Sequence, residues 1–134
     1  MKLFILITSI YSTCATFIFS YPTDIYKKKY NDKIIKVYEP HDIPQKNLDS
    51  ILFFTGANSL IPGDIYTNFI SSLVDLKYSV SVLPNDMQAS YEYIKDIQAN
   101  YSSITPLAHS SGCINAINLF YLVYGIQCVT DLHL

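Results

Sequence analysis

Short apolar runs and stretches of helical periodicity alternate along most of the chain, and this alternation limits the fold more than any other feature. The runs are rich in β-branched and aromatic residues and stop at Pro or Gly, as strands do. Strands are predicted at 34–39, 50–54, 78–83, 102–109 and 128–134, and helices at 65–76, about 86–100 and about 111–124. Such alternation is typical of parallel crossover units. We therefore expect an α/β fold of three layers, in which a mostly parallel sheet carries helices on both faces.

The predicted helices carry end signals. Asp64 precedes the first helix, and Asn85 or Asp86 precedes the second, so each is a candidate N-cap whose side chain accepts a backbone N–H. Gly125 follows the third helix and is its expected C-terminal stop. A length of 134 residues allows one domain at most.

The first twenty residues form a different kind of apolar run. After Met1-Lys2 there is no charge until Asp24. A short positive start followed by an apolar stretch predicts a secretory signal peptide, cleaved after Ala15 or Ser20. The run also approaches the length that spans a bilayer, so a membrane anchor is an alternative, and an ordinary buried helix or strand is a third. We expect a secreted or membrane-associated protein.

Charged residues follow this run but are few overall. Residues 21–33 include three consecutive lysines, Lys27 to Lys29, and indicate a polar surface lead-in. If the run is an anchor, these lysines favour the cytoplasmic side of the membrane. The net charge is −2, and all nine basic residues are Lys. Because a protein that grips phosphates usually has a basic excess and Arg, we do not expect nucleic-acid binding. Half of the residues are hydrophobic, which excludes a disordered chain.

The cysteines do not indicate a metal site. Cys14 lies in the leader, Cys113 early in the third helix and Cys128 at the start of the last strand. Because almost a helix length separates the last two, two buried thiols are favoured over a disulfide. No Cys/His spacing matches a zinc site, and we expect no cofactor.

The segment Ala108-His109-Ser110-Ser111-Gly112 joins a predicted strand to the third helix. It follows the pattern small-x-Ser-x-Gly, in which small residues allow a sharp turn that strains the Ser backbone and raises its hydroxyl above the sheet edge. The backbone N–H of Ser111 then lies at a helix N-terminus, where it can stabilise a negative oxygen. The alternative is that Ser110 only caps the helix.

This pentapeptide resembles the nucleophile elbow of the α/β-hydrolase family, in particular its lipase, esterase and chlorophyllase-like members. Residues 35–40 and 52–57 are similar to the early strand and the oxyanion strand of these enzymes. The resemblance implies that Ser110 is a nucleophile, and that the backbone N–H groups of Ala57 and Ser111 form the oxyanion site. It also implies an apolar ester or lipid substrate, and a structural role for His109.

The rest of a catalytic triad is not found at matching positions. In the family the acid and then the His follow the nucleophile. Here Asp131 and His133 fall inside the last predicted strand, and His41 is expected on an exposed loop. We therefore expect residues 34–134 to form a partial, truncated α/β-hydrolase domain whose base and acid lie elsewhere. The alternatives are a non-catalytic α/β scaffold that binds a partner, and a membrane-anchored structural protein.

Overall fold

The computed structural model describes residues 4–6, 20–56 and 63–125. The strands are β1 (Phe4–Leu6), β2 (Thr23–Tyr30), β3 (Lys33–Pro40), β4 (Asp49–Phe54), β5 (Tyr78–Leu83) and β6 (Ser103–His109). The helices are α1 (Thr67–Asp75), α2 (Met87–Ile97) and α3 (Gly112–Tyr124), and short 3-10 turns occur at Gln45–Asn47 and Gly63–Tyr66.

The strands form one mixed sheet in the order β1-β6-β4-β5-β3-β2. Strands β1, β6, β4 and β5 are parallel, whereas β3 is antiparallel to β5 and β2 is antiparallel to β3. Helix α1 packs on one face of this sheet, and α2 and α3 pack on the other. The predicted α/β class with helices on both faces is confirmed. The parallel strands all end at one edge of the sheet, which is where α/β folds place their sites.

Each face of the sheet buries its own apolar layer. On the α1 face, Phe53 and Val80 pack with Ile70 and Val74 of the helix. The opposite face packs its apolar strand residues against α2 and α3; Val37, Leu52, Ile94, Leu119 and Phe120 are among the members of this layer. Because β4 contributes alternate residues to both layers, it is buried on both faces, as its continuous apolar sequence predicts.

A buried carboxylate lies at the opposite edge from the ends of the parallel strands. Glu39, next to the last residue of strand β3, is only 6% exposed. Its oxygens accept hydrogen bonds from the hydroxyls of Tyr26 and Tyr101 and from Nε2 of Gln45, the last two at 2.8 and 3.1 Å. These donors supply the partners that a buried charge requires. We call these four residues the Glu39 cluster.

The polar lead-in predicted over residues 21–33 is instead largely strand β2. Tyr26, Lys28 and Tyr30 are partly buried, and the residues between them are exposed. Asn31 and Asp32 both have positive φ, 46° and 60°, which is the requirement of a two-residue hairpin turn. Five lysines between residues 27 and 36 hide this alternation in the sequence.

Helix ends agree with the sequence at two positions and differ at a third. Asp86 caps α2 by accepting the N–H of Ala89 at 3.0 Å. Gly125 ends α3 with a φ of 79°. Helix α1 begins only at Thr67, because Asp64 lies inside the preceding 3-10 turn and is not its N-cap.

Several predicted features of the two chain ends lie outside the described residues. These are most of the leader (residues 7–19), the last predicted strand, Cys128, Asp131 and His133. Three residues of the predicted leader, Phe4–Leu6, form β1 beside β6. Cys113 is a free, partly buried thiol whose pKa is raised by burial. None of the helices in the described part of the chain is long and apolar enough to span a membrane.

Candidate active site

Ser110 lies in the turn between β6 and α3. Its φ is 56°, a left-handed value that a non-glycine residue adopts only at a cost. The side chain is exposed, and its hydroxyl has no hydrogen-bond partner among the residues that the structure describes. The carbonyl of Ser110 accepts the N–H of Cys113 at 3.0 Å, which ties the turn to the first turn of the helix. The strained backbone expected from the pentapeptide is therefore present.

Ser110 does not serve as the cap of α3. The N-cap position belongs to Ser111, with φ −60° and ψ −20°, and no side chain caps the helix there. Strand β6 ends at His109 and α3 begins at Gly112, so only Ser110 and Ser111 form the turn. The alternative in which Ser110 is merely a helix cap does not agree with this geometry.

The small residues on either side of Ser110 are both required by packing. Ala108 is fully buried and lies opposite Phe54 of β4. A Cβ on Gly112 would lie 2.4 Å from the carbonyl oxygen of Phe54 and 2.7 Å from that of Thr55. Because no real Cβ contact is that short, only glycine permits α3 to start this close to the end of β4.

The close approach of Gly112 to Phe54 and Thr55 brings the residues after β4 next to the Ser110 turn. Thr55 and Gly56 follow β4 directly, and β4 is the neighbour of β6 in the sheet. The turn after β4 therefore lies next to Ser110 at the edge where the parallel strands end. Ala57, the predicted second oxyanion donor, lies outside the described residues.

His109 points away from the Ser110 hydroxyl and contacts Tyr66. Its Nδ1 lies 3.0 Å from the Tyr66 hydroxyl, and the two rings meet edge to face with centroids 5.7 Å apart. The Tyr66 hydroxyl also accepts the backbone N–H of Gly56 at 2.9 Å. His109 is thus held by Tyr66, through ring packing and a hydrogen bond, and has no hydrogen bond to Ser110.

Sequence reasoning did not find Tyr66. It lies at the end of the 3-10 turn before α1, ten residues from Gly56 and 43 from His109. Tyr66 is 1% exposed and packs its ring against Phe53 at a centroid distance of 4.8 Å. No motif marks such a residue, since only the folded sheet brings β4 and β6 to it.

The second described histidine lies far from this edge. His41 follows β3, which runs antiparallel to β5, so it sits near the edge where the parallel strands begin. Its Nδ1 lies 2.9 Å from Asp24 and its Nε2 lies 3.1 Å from Asp42. It is exposed, as predicted. Among the described residues, no histidine or acid contacts the Ser110 hydroxyl.

A small cavity opens at the same edge of the sheet as Ser110, between α2 and α3. Phe54, Met87 and Leu119 form its apolar walls. Polar residues line the rest, and one of them is charged: Asn85, Asp86, Ser90 and Asn115. Over the part of the chain that the structure describes, no three His, Cys, Asp or Glu side chains are grouped to hold a metal ion.

The fold matches that of known α/β-hydrolase enzymes, although the sequence matches no family model and no curated protein. One similar structure is brefeldin A esterase, a bacterial homologue of human hormone-sensitive lipase, with a TM-score of 0.62 and 13% identity. Another is EstFA in its iron-lacking apo form, with a TM-score of 0.58 and 17% identity. Epoxide hydrolase A from Mycobacterium thermoresistibile follows with a TM-score of 0.51 and 13% identity.

These matches cover most of this chain but less than half of each known one. The covered shares are 92% of this chain and 42% of brefeldin A esterase, 89% and 43% for EstFA, and 73% and 34% for the epoxide hydrolase. At such low identities the likeness establishes the fold alone. The chain therefore has an α/β-hydrolase-like fold, over a part of the length that these enzymes have.

Proposed function

We propose that this chain carries the nucleophile of a serine carboxylic-ester hydrolase, and that Ser110 is that nucleophile. The observation that carries the proposal is the backbone of Ser110, held at a φ of 56° between β6 and α3 with its hydroxyl exposed. Strain of this kind is kept where the surrounding packing fixes it and where it presents a reactive group.

The proposed reaction is acyl transfer to water. Ser110 Oγ attacks the carbonyl carbon of the ester, the alcohol leaves, and water then hydrolyses the acyl-enzyme. The negative oxygen formed in each step is stabilised by the backbone N–H groups of Ala57 and Ser111, the second of which lies at the N-terminus of α3. The base and the acid that activate Ser110 are supplied from outside the described residues.

An apolar ester or lipid is the proposed substrate class. One of the similar structures, brefeldin A esterase, is an esterase by its description. The cavity at the same sheet edge as Ser110 has apolar walls at Phe54, Met87 and Leu119, which suit a short acyl or alkyl group, and polar residues on its other side. We propose neither a nucleic-acid partner nor a cofactor. The proposed secreted or membrane-associated location depends on the predicted leader.

A fluorophosphonate probe tests the nucleophile directly, because the probe bonds covalently only to an activated serine. In the natural full-length protein we expect labelling of the wild type and its loss in Ser110→Ala. Ser72→Ala is the matched control, since Ser72 is an exposed serine on α1 whose hydroxyl donates to the carbonyl of Asn68. Labelling is expected to be unchanged in this control.

An unlabelled wild-type protein would contradict the proposal. That result would favour the second candidate function, a non-catalytic α/β scaffold that binds a partner. Labelling that persists in Ser110→Ala would contradict the assignment of Ser110 while leaving an active hydrolase.

A further inference from the structure

One buried hydroxyl connects the two segments that the proposed function requires. Tyr66 Oη accepts the N–H of Gly56 at 2.9 Å and lies 3.0 Å from Nδ1 of His109. Gly56 directly precedes Ala57, the proposed oxyanion donor, and His109 directly precedes Ser110. Each contact is thus one residue away from a proposed participant in the reaction.

The donors and acceptors among the described residues assign a direction to both hydrogen bonds of the Tyr66 hydroxyl. A backbone N–H can only donate, so the Tyr66 oxygen is the acceptor toward Gly56. The hydroxyl hydrogen then needs an acceptor, and His109 Nδ1 is the one that the described residues offer. Because Nδ1 accepts, the neutral imidazole of His109 carries its proton on Nε2.

The surroundings of Tyr66 make it a rigid connector. Its ring is 1% exposed, packs edge to face on Phe53 of β4, and belongs to the apolar layer under α1. Its two hydrogen bonds link the end of β4 to the end of β6. The bond to Gly56 also joins both ends of the segment that leads from β4 to α1. The hydroxyl therefore leaves these ends little freedom to separate.

We propose that Tyr66 is a positioning residue for the Ser110 site, an inference that rests on the proposed function. Its hydroxyl holds the Gly56 amide and the His109 ring at a fixed separation, and so sets the distance between the oxyanion turn and the nucleophile turn. Tyr66 acts through Gly56 and His109 and does not touch the reacting atoms. The N–H of Gly56 is occupied by the bond to Tyr66, so it does not serve as an oxyanion donor.

Tyr66→Phe removes the hydroxyl and keeps the ring, and Tyr93→Phe is its matched control. Tyr93 is also fully buried and also bonds through its hydroxyl, to Ser81 at 2.6 Å, but it lies on the other face of the sheet. The two variants each lose one buried tyrosine hydroxyl. A general loss of stability affects both, whereas a loss of positioning affects Tyr66→Phe alone.

The first measurement is the nitrogen NMR spectrum of His109 in the full-length protein. We expect the wild type and Tyr93→Phe to have the proton on Nε2 with Nδ1 as a hydrogen-bond acceptor. In Tyr66→Phe the Nδ1 shift should move to that of a nitrogen that has lost its donor. An Nδ1-protonated His109 in the wild type, or an unchanged spectrum in Tyr66→Phe, would overturn the proposed connection.

The second measurement is the rate at which Ser110 reacts with the fluorophosphonate probe. We expect Tyr66→Phe to slow labelling about tenfold, the effect of losing one oriented hydrogen bond in a preorganised site, with Tyr93→Phe close to wild type. Equal rates in the two variants would overturn the positioning role. An unlabelled wild type contradicts the proposed function itself, and the NMR result then still decides whether Tyr66 holds His109 as stated.

Discussion

Gly112 is the residue that allows helix α3 to start against the end of β4. A Cβ at this position would lie 2.4 Å from the Phe54 carbonyl oxygen. The contact is with backbone, which cannot rotate away as a side chain can. Gly112 has a hydrogen atom where alanine has a methyl group, and this difference allows the turn that carries Ser110 to form.

We expect Gly112→Ala to lower the free energy of unfolding by about 2–3 kcal/mol, in line with overpacking of a tight site. The sign is diagnostic, because helix propensity alone would make the same change favourable by up to about 1 kcal/mol. Urea unfolding measures the difference. Asn118→Ala, which places alanine at an exposed position of the same helix, should leave stability equal or slightly higher. A stabilised Gly112→Ala would show that α3 does not approach β4 so closely.

For single residues, the sequence predicts features that depend on neighbouring positions but not contacts between distant segments. The Ser110 turn and its small flanking residues could be predicted, since the pattern that marks them lies within five consecutive positions and the strained backbone belongs to one of these. Tyr66 could not, because its partners come from two other strands. The identity of the atoms that exclude a side chain at Gly112 also required the register between β4 and β6.

Among the elements, the β2–β3 hairpin differs most from its prediction. Strand and helix types elsewhere follow from periodicity, since buried faces enforce it. In β2 one face is exposed, and among the described residues only β3 pairs with it. Lysines therefore occupy three of its eight positions, and the alternation of burial leaves a weak trace in the sequence. The turn residues Asn31 and Asp32, both at positive φ, were the available signal.

The open end of this hairpin is expected to depend on pH through His41. Its backbone N–H donates to the carbonyl of Pro22 at 2.7 Å, and its ring bonds Asp24. The hydrogen bond to Asp24, followed by the charges of Asp24 and Asp42, raises the pKa of His41 above 6.5. A raised pKa means that the folded state binds the proton more tightly. The contribution to stability is therefore complete below about pH 6.5 and is lost as pH rises through the folded pKa.

Proton NMR of the His41 ring measures this effect. We expect a pKa above 6.5 in the wild type and a return toward 6.5 in Asp24→Asn, which keeps the shape of the side chain but removes its charge. His109 provides an internal control, because it contacts neither carboxylate. An unchanged His41 pKa in Asp24→Asn would mean that the contact does not form in solution.

Over the whole molecule, buried tyrosines connect the outer hairpin to the rest of the sheet. The Glu39 cluster joins β2, β3 and the segment before β6 through the hydroxyls of Tyr26 and Tyr101. Burial foremost, with the hydrogen bond to Glu39 in addition, raises the pKa of Tyr101 to about 12. Burial likewise raises the pKa of Tyr26 and of Tyr93. Folding therefore keeps these phenols protonated at a pH where the unfolded chain ionises them.

Alkaline unfolding follows from these shifts. Stability from the buried tyrosines is complete below about pH 10 and is lost as pH rises toward about 12, since only the unfolded state releases the protons in that range. We expect Tyr101→Phe to make the loss of stability between about pH 9 and about pH 11 less steep, as measured by urea unfolding. Tyr121→Phe, at a half-exposed position, should follow the wild type.

Phenolate absorbance reports the same transition without interference, because the chain has twelve Tyr and no Trp. We expect exposed tyrosines to ionise first and the buried ones only as the fold is lost. Simultaneous ionisation of all twelve in a folded protein would contradict the burial of the Glu39 cluster.

The pairing of β1 with β6 has a consequence for the maturation of the protein. Phe4–Leu6 lies beside Leu107 to His109, the residues that lead into Ser110. The same three residues belong to the run that the sequence predicts to be a leader, and one segment cannot both leave the chain and remain in the sheet. If the predicted leader is cleaved, the backbone groups of β6 that now bond β1 lose these partners, and the surroundings of Ser110 change.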